Sequence, residues 1–134
     1  MPGVAEHFRM ETAREYLNSG KVVFLAGGTG HPYFTTDTAA ALRALEIGAD
    51  ALLKATKVDG VYSADPVDNK DAVRYDALTY DQVLEQKLGV MDLTAITLCR
   101  ENHLPVHVFD MRVPGNLARL VRGEQVGTRI SSES

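Results

Sequence analysis

The sequence predicts an α/β protein built as a three-layer α/β/α sandwich around a mostly parallel sheet. Apolar runs of strand length alternate with segments of helical period along the chain. Strands that alternate with helices are typical of a parallel sheet covered on both faces. We find no internal repeat, low-complexity tract or break in composition, so we expect residues 1–134 to form a single domain.

Each predicted element has a local reason. Gly20 is a C-cap for the first helix, and Gly48 stops a second helix that begins at Thr36 or Asp37. Thr79 and Gln82 have capping-box spacing, and Pro105 prevents a later helix from continuing. The predicted helices are 5–18, 36–48, 79–88, 92–102 and 116–122, and the predicted strands are 21–26, 51–55, 106–109 and an edge strand near 126–130.

Composition excludes several classes of partner. Fourteen basic and 18 acidic residues give a net charge of −4 without a basic stripe, which argues against nucleic acid polymers and anionic membranes. The longest apolar runs are far shorter than the roughly 20 residues that span a bilayer, and the N-terminus lacks a signal-peptide layout, so we expect a cytoplasmic protein. Cys99 is the single cysteine, and we expect it to be a buried small side chain.

A glycine- and threonine-rich loop lies between the predicted strand 21–26 and the next helix. It reads AGGTGHPYFTTD over residues 26–37. Glycines let the backbone approach an anion, and the following helix offers unpaired N–H groups at its positive end, so a phosphate site is one interpretation. The loop is neither a Walker A motif nor a dinucleotide fingerprint. The alternative is an ordinary glycine turn with a Thr or Asp N-cap, in which His31 is a solvated loop residue.

Together with the segment KATKVDGVYSADP at 54–66, this loop resembles the bacterial UMP kinases of the amino acid kinase superfamily. The resemblance continues in order through 75–80, 90–95, 104–106 and 114–117, and it covers about residues 4–130. It implies the amino acid kinase fold, of which this chain resembles the C-terminal, nucleotide-binding half.

The resemblance also implies a set of site residues. In many members of the family Asn occupies the place of His31, so the backbone contacts carry over more directly than a role for the imidazole. The residues that correspond to the UMP loop are Thr29, Gly30, His31, Pro32, Tyr33, Phe34, Thr35 and Thr36. Those that correspond to the ATP site are Thr56, Tyr62 and Asp65.

Both groups have alternatives that the residues leave open. Asp59-Gly60 and Asp65-Pro66 are also common turn and loop elements. Asp92 matches the family aspartate usually assigned to catalysis, and Asp37 is a second acidic candidate, yet either is equally well explained as a helix cap. Lys57, with Lys54 nearby, is a candidate cation for the transferring phosphates, although surface lysines are commoner.

The activity that the resemblance implies is phosphoryl transfer from ATP to UMP, giving UDP and ADP, in pyrimidine nucleotide biosynthesis. Mg²⁺ would accompany ATP without a recognisable protein motif to ligate it, GTP is a candidate effector, and the family forms a hexamer. Two rivals remain open. One is another member of the superfamily acting on aspartate, glutamate or carbamate, and the other is a nucleotide-binding module that never catalyses.

Members of the family are about twice as long as this chain, which begins in what would be their middle. The Lys-x-Ser-Gly phosphate loop of their first strand has no counterpart here. Because positioning and charge neutralisation supply most of the rate in phosphoryl transfer, we expect little or no kinase activity from this chain alone. We also expect exposed apolar surface and a tendency to self-associate.

Overall fold

A computed structural model of the chain describes residues 3–133, and the central feature within that range is a four-stranded sheet. The strands lie in the order β1-β5-β6-β4. The helices are α1 (Met10–Asn18), α2 (Thr36–Glu46), α3 (Tyr80–Glu85), α4 (Leu93–Glu101) and α5 (Asn116–Val121). The strands are β1 (Leu52–Thr56), β2 (Val61–Tyr62), β3 (Arg74–Tyr75), β4 (Ala77–Thr79), β5 (Val106–Asp110) and β6 (Thr128–Ser131).

The sheet is mostly parallel, as predicted. β1 pairs with β5 and β4 pairs with β6 in parallel, whereas β5 and β6 are antiparallel. The prediction of an edge strand near the C-terminus is wrong, because β6 lies between β5 and β4 and has neighbours on both sides. The polar residues around Gly127 are typical of a solvent-exposed edge strand, yet Thr128, Ile130 and Ser131 are buried.

Side chains from both faces of the sheet are buried. Val106 and Val108 of β5 share one face and belong to the main core. Phe109 points to the opposite face because side chains alternate along a strand, and only 2% of it is exposed. The strand is therefore covered on both sides, as the layered α/β class requires. The main core also receives Ala41 and Ala44 of α2, Tyr80 and Val83 of α3, and Ala95, Ile96 and Cys99 of α4.

Three of the five helices in the described residues have an N-terminus capped by a side chain. Thr35 caps α2 and Asp92 caps α4, while Thr79 and Gln82 form the predicted capping box of α3. Lys87 has a φ of +52°, which ends α3 before the predicted stop at Gly89. α1 begins at Met10, five residues later than predicted. Residues 6–9 have no regular secondary structure, and the Phe8 ring packs 4.0 Å from the guanidinium of Arg43.

The predicted strand at 21–26 is wrong, since these residues belong to neither sheet of the described chain. Most of them are nevertheless apolar and exposed, with Val22 and Phe24 at 83% and 91%. An apolar run indicates a strand only when a neighbouring strand can satisfy its backbone, and none of the described strands pairs with it.

A small hairpin of β2 and β3 is attached to the main sheet through Thr128. The Thr128 hydroxyl accepts from the Val61 N–H over 2.8 Å and donates to the Tyr75 carbonyl. A Cβ on Gly60 would lie 2.6 Å from that hydroxyl oxygen, so the glycine permits the close approach. The segment that contains the KVDGVYSADP motif is thus held in place by Thr128, which lies 67 positions beyond Val61.

No helix among residues 3–133 combines the length and the apolar character that a bilayer crossing requires.

Candidate functional site

The glycine- and threonine-rich loop is an open turn that leads directly into α2. Gly27, Gly28 and Gly30 have φ values of +88°, +64° and +77°, a region that glycine adopts without strain. The His31 N–H donates to the Thr29 hydroxyl over 3.1 Å. Tyr33 is 96% exposed. The loop therefore presents backbone and aromatic surface outward, at the positive end of a helix.

Thr35 ends this loop, and both hydrogen-bonding functions of its hydroxyl are occupied. The oxygen accepts from the Thr38 N–H over 3.2 Å as the N-cap of α2. The hydroxyl also donates a hydrogen bond to Asp92 Oδ2. A hydroxyl has one proton to donate, so in this arrangement Thr35 has none left for a phosphate. The N–H groups of Thr36 and Asp37 lie in the first turn of α2, where the helix offers no carbonyl four residues earlier, and they make no hydrogen bond to another described residue.

Asp92 joins the N-termini of α2 and α4. Its Oδ1 accepts from the Ala95 N–H over 2.8 Å, which confirms the N-cap interpretation. The same carboxylate accepts from the hydroxyls of Thr35 and Thr38, the latter over 3.0 Å to Oδ1 and 3.2 Å to Oδ2. Its negative charge lies between two positive helix ends and stabilises their approach. Thr38 is only 3% exposed. A catalytic role for Asp92 stays a prediction.

Lys54 and Asp37 form an ion pair beside this junction. Lys54 Nζ lies 3.3 Å from Asp37 Oδ2 and also donates to the Val90 carbonyl, just before α4. Asp37 lies in the first turn of α2 and is not its cap, so the cap interpretation of Asp37 is wrong: Thr35 holds that position. The Lys54 ammonium group of β1 therefore contacts both α2 and the segment just before α4.

Lys57 lies apart from this cluster. It is exposed beyond the end of β1 and makes no hydrogen bond or ion pair with another described residue. Thr56 is the last residue of β1, and its hydroxyl forms a local turn with Val58, accepting from the N–H over 3.0 Å. A catalytic role for Lys57 is neither supported nor contradicted by these contacts.

The two other predicted ATP contacts have local partners on the hairpin side. The Tyr62 hydroxyl donates to Asp59 Oδ1 over 2.8 Å, and this hydrogen bond raises the pKa of the phenol. Arg74 neutralises the other oxygen of Asp59 over 3.2 Å. Asp65 Oδ1 accepts from the Val67 N–H over 2.9 Å, which makes an Asx turn. The turn interpretation of both motifs is thus present in the structure, and it leaves the Tyr62 ring and Asp65 Oδ2 without a polar partner among the described residues.

Three residues near these groups were not predicted from the sequence. Thr38 completes the Asp92 junction, and Thr128 fixes the hairpin. Asp110, the register partner of Thr56 at the carboxyl ends of β1 and β5, is bound by the guanidinium of Arg112 over 3.0 Å. That hydrogen bond lowers the pKa of the Asp110 carboxyl. The D-x-R spacing was the available sequence signal for Asp110, whereas nothing in the local sequence links Thr38 to a residue 54 positions away.

The described residues contain no group of three or more His, Cys, Asp or Glu side chains that could hold a metal ion. Cys99 is fully buried, as predicted, and burial raises the pKa of its thiol to about 11.

An open glycine loop that enters the N-terminus of a helix beside a mostly parallel sheet is the architecture of phosphate-handling α/β proteins. The family model "Amino acid kinase family" matches residues 1–110. The chain belongs to the amino acid kinase family.

Individual relatives are uridylate kinases. The chain is 58% identical to the uridylate kinase of Alcanivorax borkumensis over 132 residues, which are 98% of this chain and 52% of that protein. It is 59% identical to the uridylate kinase of Chromohalobacter salexigens over 130 residues, 97% of this chain and 51% of the relative. The chain therefore spans about half the length of the curated relatives it matches.

Solved structures show the same relationship. The UMP kinase from Bacillus anthracis superposes with a TM-score of 0.98 at 41% identity, covering 100% of this chain and 55% of that one. The UMP kinase from Ureaplasma parvum gives a TM-score of 0.91 at 33% identity, covering 98% of this chain and 56% of that one. The predicted fold class is confirmed.

Proposed function

We propose that this chain supplies the nucleotide-binding part of a UMP kinase, which transfers the γ-phosphoryl group of ATP to UMP and yields UDP and ADP. The observation that carries the proposal is the glycine loop that opens onto two N–H groups of α2 with no partner among residues 3–133, in a chain 58% identical to a uridylate kinase. Those N–H groups suit the UMP phosphate, because a helix N-terminus offers donors and a positive dipole to an anion.

The UMP loop is proposed to act mainly through its main chain. The Thr35 hydroxyl already donates a hydrogen bond to Asp92. The phosphate contacts are therefore assigned to the N–H groups of Thr36 and Asp37, the Thr36 hydroxyl and the backbone around Gly30. The exposed rings of Tyr33 and Phe34 are available to cover the nucleotide. The junction between Thr35 and Asp92 would then fix the loop rather than touch the substrate.

On the ATP side, Thr56, Tyr62 and Asp65 are the proposed contacts. The Tyr62 hydroxyl is bound to Asp59, so the aromatic ring remains for packing on a base. Lys57 is exposed beyond β1 and is the proposed cation for the transferring phosphates. Lys54 is already paired with Asp37, so we assign it the role of positioning α2 rather than of neutralising the transferring phosphates.

Transfer requires an oxygen of the UMP phosphate to attack the γ-phosphorus while the bond to the β-phosphate oxygen breaks. Mg²⁺ bound to ATP would neutralise charge in that step. Asp37 is paired with Lys54, and Asp92 is surrounded by three donor residues, so the donor set fits a metal held mainly by nucleotide phosphates.

Calorimetry with UMP, ATP and GTP tests the proposal. We expect weak but measurable UMP binding, and a loss of about fivefold or more in Thr36→Ala, because a hydroxyl bound to a charged group contributes more than a neutral one. The matched control is Thr94→Ala, an exposed threonine in the first turn of α4. Tight binding of GTP or ATP without UMP would instead favour a regulatory module, and binding of aspartate, glutamate or carbamate would favour a carboxylate kinase.

A direct assay complements the binding experiment. We expect ATP-dependent conversion of UMP to UDP by this chain alone to be at or near background, because the chain has no Lys-x-Ser-Gly loop. Efficient turnover by the purified 134-residue chain would show that its own residues suffice for phosphoryl transfer.

A further inference from the structure

The hairpin that carries Tyr62 is too short to hold its position through its own strand pairing. β2 and β3 contain two residues each, and their register joins Val61 with Tyr75 and Tyr62 with Arg74. A two-stranded hairpin on its own is at best marginally stable in water. Thr128 fixes the first of these pairs, since its hydroxyl bonds to the backbone of both Val61 and Tyr75. The second pair, Tyr62 and Arg74, depends on side-chain contacts.

Arg74 and Tyr62 meet at the carboxylate of Asp59. Because the two residues are register partners, their side chains project from the same face of the hairpin. Arg74 Nη1 lies 3.2 Å from Asp59 Oδ2, and the Tyr62 hydroxyl donates to Asp59 Oδ1 over 2.8 Å. One carboxylate therefore holds the cation with one oxygen and the phenol with the other.

Gly60 makes room for the arginine. A Cβ at this position would lie 3.0 Å from Arg74 Cδ and 3.2 Å from Arg74 Cγ, closer than side-chain atoms normally pack. The alkyl stem of Arg74 thus crosses directly over the backbone that follows Asp59. This contact restricts the directions in which the guanidinium can extend, and Asp59 lies in one of them.

Asp59 is the closer of two acidic partners of Arg74. Asp76 Oδ1 lies 3.8 Å from Arg74 Nη2, and the Asp76 side chain is 74% exposed, compared with 51% for Asp59. An ion pair weakens with distance and with exposure to water. Arg74 is therefore held mainly by Asp59, and Asp76 provides a control position.

We propose that Arg74 is a positioning residue for the nucleotide: through Asp59 it holds the Tyr62 ring in the orientation in which its face packs on the base of ATP. The identity of the ligand rests on the proposed function, whereas the contact among the three side chains does not. The Tyr62 hydroxyl is engaged by Asp59, so the face of the ring is the part that meets the base. A ring already fixed in its bound orientation loses less conformational freedom on binding.

The first part of the test needs no nucleotide. Tyrosine labelled with ¹³C at the hydroxyl-bearing ring carbon reports the pKa of each of the five phenols by NMR, and Tyr62→Phe identifies the signal of Tyr62. The Asp59 hydrogen bond raises the pKa of Tyr62, and the charge of Arg74 acts more weakly in the opposite direction. If Arg74 holds Asp59 in place, Arg74→Met weakens that hydrogen bond, and the pKa falls toward the ordinary value of about 10. If Arg74 is only a nearby charge, its removal raises the pKa instead.

The second part follows the same NMR signals during a titration with MgATP. We expect Arg74→Met to weaken the affinity about threefold, the size of effect that a half-exposed ion pair can transmit. Tyr62→Phe should weaken it similarly, and Arg74→Met should add nothing in that background because the ring is already released. The controls are Asp76→Asn and Arg100→Met, the latter an arginine of similar exposure that pairs with Asp81 over 3.4 Å. Both should leave the phenol pKa and the affinity unchanged.

Three results would overturn the proposal: an unchanged or raised pKa of Tyr62 in Arg74→Met, equal losses of affinity in Arg74→Met and Arg100→Met, or additive losses in the double variant. Asp59→Asn is a second route to the same contact, because it removes the charge that Arg74 holds, and it should lower the pKa of Tyr62 and the affinity together. Circular dichroism checks that the variants remain folded, which is expected because both side chains are about half exposed. A lowered pKa in a chain whose wild type does not bind MgATP would support the hold of Arg74 on Tyr62 and count against the proposed function.

Discussion

The Thr38 hydroxyl donates to Asp92 Oδ1 over 3.0 Å, which ties the first turn of α2 to the first turn of α4. Thr35 adds a second hydroxyl to the same carboxylate. The loop proposed to hold UMP ends at this junction, so the stability of a surface loop depends on a buried polar contact between two helices.

Thr38→Val removes the buried hydroxyl while nearly preserving its shape. We expect the free energy of unfolding to fall by about 1–2 kcal/mol, because the Asp92 carboxylate loses one of its hydrogen-bond donors in a part-buried setting. Urea denaturation followed by circular dichroism measures the change. Thr97→Val is the control, since its exposed hydroxyl bonds only to Leu93 of its own helix, and it should change stability by less than about 0.5 kcal/mol. Equal effects would exclude the junction as a stabilising contact.

Asp92→Ala should destabilise the chain by about 2–3 kcal/mol, since the helix cap is lost and two hydroxyls lose their acceptor. Asp92→Asn keeps an oxygen that can cap α4, so a smaller loss is expected. The control is Asp81→Ala, an exposed acid that pairs with Arg100 over 3.4 Å and should contribute under about 1 kcal/mol. Thermal unfolding ranks the three variants, and an Asp92→Ala variant as stable as Asp81→Ala would contradict the assignment.

Alanine substitutions at Gly127 and Gly123 distinguish the cost of a steric clash from the cost of a strained backbone. Both have positive φ, +67° and +89°. A Cβ on Gly127 would lie 1.9 Å from the Val108 carbonyl oxygen, whereas none of the described atoms outside the immediate neighbours lies within 4 Å of one on Gly123. We expect Gly123→Ala to cost about 1–2 kcal/mol and Gly127→Ala distinctly more, because β5 and β6 must move apart. Similar unfolding midpoints for the two variants would argue against the close approach.

The pair of Asp110 and Arg112 predicts a dependence of stability on pH. The Arg112 hydrogen bond lowers the folded pKa of Asp110, so its contribution is complete above the unfolded value of about 3.9 and is lost as the pH falls through the folded pKa. Arg112→Met should therefore destabilise the chain at pH 7 and converge with the wild type at the lowest pH. Arg122→Met, which removes an exposed pair with Glu124, is the control. A difference that persists undiminished in acid would contradict this origin.

The elements predicted correctly from the sequence are those with a local signal, such as a helix cap or an apolar run, at a place where packing also favours the element. The capping box of Thr79 and Gln82, the helix after Asp92 and the strand before Asp110 are all present. The strand at 21–26 failed because an apolar run cannot report whether a partner lies alongside. β2 and β3 are two residues each, too short for any periodicity to reveal.

The candidate site also has a part that the sequence predicts and a part that it does not. The glycine loop and its helix N-terminus were predictable because all their parts are contiguous in sequence. The junction at Asp92 was not, because its donors come from 54 and 57 residues away and threonine at a helix start has many uses. The hydrogen bond from the Thr35 hydroxyl to Asp92, from which we propose that the main chain makes most phosphate contacts, is visible only once the two helices are placed together.

The burial of Cys99 gives this chain a reporter of its own motions. It is the single thiol, it lies on α4 against the core, and its pKa of about 11 keeps it protonated at neutral pH. A thiol reagent can modify it only when the core around α4 opens, so the labelling rate measures how often that opening occurs. Nucleotides or partner polypeptides that suppress this opening would then slow the labelling of Cys99, and no engineered cysteine would be needed.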